Sequence, residues 1–120
     1  MTPGTISLDG ITYAHYLTSG LLGHPIGGVH HASSLISKYH NSCTVAHSHC
    51  LDYSRSYSGS GACLNGLVCG VYQDYQTPWA GEIQKQWSSG VVIKRGVENG
   101  NYDMEWVSVE RLKNEYGRTT

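Results

Sequence analysis

The chain has 120 residues, enough for one domain with a modest core and too few for two. Eight Lys and Arg against nine Asp and Glu give a net charge of −1, which argues against the basic excess that a nonspecific nucleic-acid or membrane-surface binder relies on. Charged residues are only 14%, while Gly numbers 15, Tyr 9 and Phe 0. That balance suits a loop-rich β protein, or a subunit that buries part of its surface in a homo-oligomer.

No apolar run approaches the roughly 20 residues needed to span a bilayer. The first residues lack the basic and apolar regions of a signal peptide, so the expectation is a cytoplasmic domain, of a host cell if phage-encoded, with reduced cysteines. Cys43, Cys50, Cys63 and Cys69 form no C-x-x-C pair, which argues against a zinc knuckle.

In chain order, residues 5–17 read as strand, with a turn at Asp9 and Gly10. Residues 19–28 form a loop holding Gly20, Gly23, Pro25, Gly27 and Gly28. Residues 29–39 read as the main helix, because Val29, Ala32, Leu35, Ile36 and Tyr39 recur at helical spacing. A short strand and turn follow at 43–51, a second strand at 53–57, a Ser/Gly turn at 58–61 and a third strand at 64–72, interrupted by Gly66 and Gly70. Residues 74–86 are polar and read as a surface loop anchored by Trp79. Strands at 91–97 and 102–109 flank Asn99 and Gly100, a pair that tolerates positive φ and signals a hairpin. Residues 110–116 read as one or two helical turns ended by Gly117. The fold class is therefore α+β: one domain over residues 1–120, a mostly mixed or antiparallel sheet with one main helix.

Six of the seven His fall between His24 and His49, with His15 just upstream. His47 and His49 form H-x-H at a strand end, and alternate residues of a strand share a face. Two strand ends bearing His and joined by a helix can gather three imidazoles at one edge of a sheet.

The order of strand with His15 in AHYLTSG, Gly-rich segment GHPIGGVHHA, helix, and strand ending in AHSH at Ala46–His49 resembles the C-terminal half of calcineurin-like metallophosphoesterases, phage-type members in particular. The similarity spans residues 11–109, with Ala46 where that family's G-H-x-H has Gly. It implies His15, His47 and His49 as metal ligands and a divalent cation (Mn, Zn, Fe or Mg) as cofactor. The family's D-x-H, G-D-x-x-D and G-N-H motifs do not occur here. The resemblance thus implies a half-domain without its bridging carboxylate, completed by a separate N-terminal half or by copies of itself.

Other candidates come from the residues themselves. Ser19, Gly20, Gly27 and Gly28 have the composition of a phosphate-cradling turn entering a helix. His30 and His31 stand at that helix start, where backbone N–H groups favour an anion, and His24 lies in the loop. Tyr53 and Arg55 share a strand face and suit stacking on a base and pairing with phosphate. The expected function is binding and sequestration of a phosphorylated small ligand of the signalling-nucleotide class, without turnover. The alternative is a metal-dependent phosphoesterase working with a partner chain or across an oligomer interface, with Asp52, Asp74 or Asp103 brought to the metal.

Overall fold

The computed structural model describes residues 4–19, 24–25, 30–46, 49–72 and 88–117, with 18–19 and 24–25 defined by backbone alone. The chain's first ordered feature follows from its turn. Asp9 and Gly10 both take positive φ, 51° and 81°, the backbone of a two-residue turn whose twist matches that of paired strands. The strand expected over 5–17 therefore folds back on itself. β1 (Ile6–Leu8) pairs antiparallel with β2 (Ile11–Tyr13), Leu8 opposite Ile11. A two-residue ladder follows, β3 (Thr18–Ser19) against β4 (His24–Pro25), with Ser19 opposite His24.

Helix α1 (His31–Tyr39) buries His31, Ala32, Leu35 and Ile36 on one stripe. It ends at His40, which takes a left-handed φ of 59° and donates its backbone N–H to the Ile36 carbonyl at 2.9 Å. Then come β5 (Cys43–Val45), β6 (Leu51–Tyr57) and β7 (Cys63–Cys69). The strand β7 runs straight through Gly66, where the sequence suggested a break. The reason is spatial: a Cβ on Gly66 would lie 2.4 Å from the Ala32 carbonyl oxygen, so its absence lets α1 approach the sheet. β8 (Gly90–Glu98) and β9 (Asn101–Ser108) form the C-terminal hairpin, and α2 (Val109–Tyr116) closes the described chain. Ser108 caps α2 by accepting from the Arg111 N–H at 3.1 Å.

The five-stranded sheet has the order β1-β2-β5-β7-β6. β2, β5 and β7 are mutually parallel, while β1 and β6 run antiparallel at the two edges. This is the expected α+β class with a mixed sheet and one main helix, and α2 covers the helical turns expected at 110–116. Residues 74–86, expected as a surface loop, lie outside the described residues. The two faces of the sheet serve different partners. On one face Cys43, Val45 and Val68 pack with Leu17, Ala32 and Leu35 under α1. On the other lies the β8–β9 hairpin, over Tyr13, Thr44, Asn65 and Tyr53.

The hairpin is pinned at its turn. Asn99 and Gly100 take φ of 48° and 85°. The Gly100 N–H donates to the Asp9 carbonyl at 2.7 Å, and its carbonyl accepts from Ser42 Oγ at 2.8 Å and from Asn65 Nδ2 at 3.0 Å. Ser42 Oγ in turn accepts from the Asn65 backbone N–H at 3.1 Å. Ser42 and Asn65 are both buried, so this network replaces the water each polar atom lost. The two Gly-containing turns thus meet: a Cβ on Gly10 would stand 2.6 Å from the Gly100 nitrogen.

Gly66→Ala is expected to lower stability by about 1–3 kcal/mol, because the methyl forces α1 off the sheet. Gly59→Ala, where a Cβ meets nothing within 4 Å, should stay within about 0.5 kcal/mol of the parent. Urea unfolding of the two variants checks the contrast.

Candidate functional site at the strand ends

Three parallel strands end at the same edge of the sheet, and the chain leaves each with a small or polar residue. β2 runs out into Ala14 and His15, β5 into Ala46, β7 into Gly70. The carboxyl ends of parallel strands are where open sheets leave room for ligands, because the backbone there turns away instead of continuing to pair. A shallow groove of about 400 Å³ lies at this edge. Its lining includes Ile6, Tyr13, His15, Thr44, Ala46 and Cys69.

The strand ends are tied to one another. Ala46 N–H donates to the His15 carbonyl at 3.1 Å, and His49 N–H to the Ala46 carbonyl at 3.3 Å. The His49 carbonyl accepts from the Ser88 N–H at 2.9 Å, and His49 holds a positive φ of 62°. The structure therefore brings His15 and His49 to one sheet edge, as their positions at strand ends implied. His15 is exposed and meets Tyr16 edge-on, with ring centroids 6.1 Å apart. His47 lies outside the described residues. Among the described residues no group of three His, Cys, Asp or Glu side chains gathers as a metal would need.

The helix N-terminus faces the same edge but holds a negative group already. Asp52 Oδ2 accepts the Ala32 N–H at 2.9 Å, while its Oδ1 accepts the Tyr53 N–H at 3.1 Å. This carboxylate caps α1 from a neighbouring strand and complements the positive end of the helix dipole. One of the helix-start N–H groups expected to favour an external anion, that of Ala32, is thus taken by the protein's own. Asp52 is also one of the three carboxylates that the phosphoesterase alternative would bring to a metal. Asp103 stands exposed on β9, opposite Arg95. Asp74 lies outside the described residues.

The remaining candidates divide. His30 is the exposed N-cap residue of α1, and His31 is buried at 4% exposure, so the adjacent pair splits between solvent and core. Ser19 and His24 oppose each other in the β3–β4 ladder, while Gly20, Gly27 and Gly28 lie outside the described residues. Tyr53 and Arg55 do share a face, but it is the face beneath the hairpin. Tyr53 donates its hydroxyl proton to Asn65 Oδ1, and Arg55 donates to Asn101 Oδ1 and to the Tyr102 carbonyl. These contacts dock the hairpin, which leaves less of either side chain for a ligand.

One feature of the site was not anticipated from the sequence. Lys94, in the middle of β8, points at the sheet and is half buried. Its Nζ donates to Thr44 Oγ1 at 2.6 Å and to the Tyr13 hydroxyl at 3.0 Å, and it lies over the rings of Tyr13 and Tyr102 at 4.2 and 4.6 Å from their centroids. Burial pulls the ammonium down to about 8, against the opposing influence of the Cys69 and Cys43 thiols. Burial pushes the Cys43 thiol up to about 12, with Lys94 opposing, and raises Cys69 and Tyr102 as well. The signal was present in the sequence: Lys94 follows Val91, Val92 and Ile93 within a strand, with Arg95 next to it. What the strand faced was not legible.

Comparison with protein-family models, with curated proteins and with solved structures returned no match.

Lys94 makes stability depend on pH in a defined direction. The unfolded chain holds this proton up to its ordinary value of 10.5 and the folded chain only to about 8. Between these values the unfolded state binds more protons, so this position's contribution to stability rises with pH. Cys43 acts the other way, its contribution falling as pH climbs from 9.0 toward 12, and does so with or without Lys94. The stability of the parent relative to Lys94→Met should therefore increase from pH 8 to 10.5. Chemical denaturation across that range checks it, and a flat difference contradicts it.

Proposed function

We propose that this domain binds a small phosphorylated ligand, of the nucleotide class, in the groove at the carboxyl ends of β2, β5 and β7, and holds it without turnover. The observation that carries this reading is the groove itself. It is formed where three parallel strands stop, and it carries His15, Tyr13 and Thr44 in its lining. Imidazole and hydroxyl groups are suited to phosphate oxygens, which need donors rather than acceptors. A volume of about 400 Å³ falls in the range of small-molecule sites.

Binding is favoured over hydrolysis by the position of Asp52. A two-metal phosphoesterase needs carboxylates at the metals, and this one is held by the Ala32 and Tyr53 N–H groups. Association of copies fits the same picture. Ile6 and Leu8, on the edge strand β1, are 57% and 54% exposed, and an open apolar edge is a ready pairing surface.

The test mixes the protein with a nucleotide panel, cyclic species included, and Mn²⁺. Free and bound fractions are separated by filtration, the retained protein is heated, and both fractions are chromatographed. The expected result is one nucleotide depleted from the filtrate and recovered intact, with His15→Ala weakening retention about tenfold, the loss of one charge-assisted contact. Dephosphorylated or linearised products contradict the reading and favour the phosphoesterase.

A further inference from the structure

The Lys94 ammonium is a donor only, so the Tyr13 and Thr44 oxygens that it reaches must accept. The Tyr13 hydroxyl keeps its own proton to give to something else, while the Thr44 hydroxyl turns to Tyr102. Tyr13 and Thr44 both line the groove, and Lys94 stands directly behind them on the hairpin. The titratable groups around the ammonium are Tyr13 of β2, with Asp9 acting on that tyrosine from the turn before it, Cys43 of β5, Cys69 of β7 and Tyr102 of β9. Among the described residues no carboxylate pairs with Lys94; the ion pairs formed there are Arg95 with Glu105 and Arg111 with Glu115. A half-buried cation without an anion is costly, and two ring faces and two hydroxyls offset only part of that cost. A negative charge on the groove side would complete this arrangement.

We propose that Tyr13 and Lys94 are the anion anchor of the strand-end groove: Tyr13 donates its hydroxyl proton to an oxygen of the ligand's phosphate, and Lys94, bonded behind it, supplies the positive charge. This rests on the ligand-binding reading above and adds where the phosphate sits. Tyr13 touches the ligand. Lys94 acts through it, as a positioning and charge-supplying residue. The chemistry selected is a tetrahedral oxyanion rather than a neutral nucleoside or sugar.

The experiment uses the full chain labelled with ¹³C-lysine and pyrophosphate as the probe. The titration midpoint of the Lys94 side-chain signal is followed with and without pyrophosphate. Bound anion should move that midpoint upward by about one pH unit, a tenfold preference for the charged form. Tyr13→Phe, which keeps the ring, should lower pyrophosphate affinity about tenfold with an unchanged amide spectrum elsewhere. Lys94→Met should weaken it further. A Lys94 midpoint that stays put under saturating pyrophosphate overturns the anchor, as does an absence of pyrophosphate binding. Where a nucleotide is nonetheless retained on the filter, the anchor falls and the functional reading stands. Where neither binds, both fall.

Discussion

The carbonyl of Gly100 holds the two halves of this domain together. It is the acceptor for both Ser42, just before β5, and Asn65 of β7, and the N–H of the same residue reaches back to Asp9. Side-chain contacts between the hairpin and the sheet add to this tie: Arg55 on Asn101, Tyr53 against Tyr102, Lys94 on Tyr13 and Thr44. Buried polar networks of this kind add little net stability but specify register, because any slip leaves donors unsatisfied. Shifting the hairpin by one residue would turn Lys94 to the other side of β8 and remove the ammonium from its aromatic box.

That placement gives the two faces of the sheet separate tasks. The α1 face is apolar and built for packing, with Gly66 allowing the helix to sit close. The hairpin face carries the polar chemistry, with tyrosines, a threonine, an asparagine and a lysine in mutual contact. At the carboxyl edge the two faces meet, and there the protein settles one charge internally and leaves another open. Asp52 neutralises the helix terminus. Lys94 has hydroxyls and ring faces but no such partner among the described residues. On the proposed reading, this asymmetry favours an anion in the groove over one at the helix terminus.

Local signals made much of the fold readable. Asp9 with Gly10 and Asn99 with Gly100 announced their turns because positive φ restricts which residues can stand there. Ala32, Leu35 and Ile36 announced α1 by period alone. Gly66 misled, because a glycine that breaks a strand and one that admits a helix look the same until the neighbour is known. The site was harder for a similar reason. His15 and His49 were recognisable as strand-end residues, and the structure does put them at one edge. The roles of Asp52, Asn65 and Lys94 depend on partners 20, 35 and 50 residues away in the chain, and nothing in their own surroundings names those partners. Tyr53 and Arg55 showed their shared face correctly but not that a hairpin covers it.

The central claim is that the strand-end groove, and not the helix terminus, receives the ligand's negative group. Amide chemical-shift mapping with pyrophosphate tests it most directly. The account predicts changes concentrated at Tyr13, Ala14, His15, Thr44, Ala46 and Cys69, the groove wall. Changes centred instead on His30, His31 and Ala32 at the start of α1, or spread without focus, would contradict it.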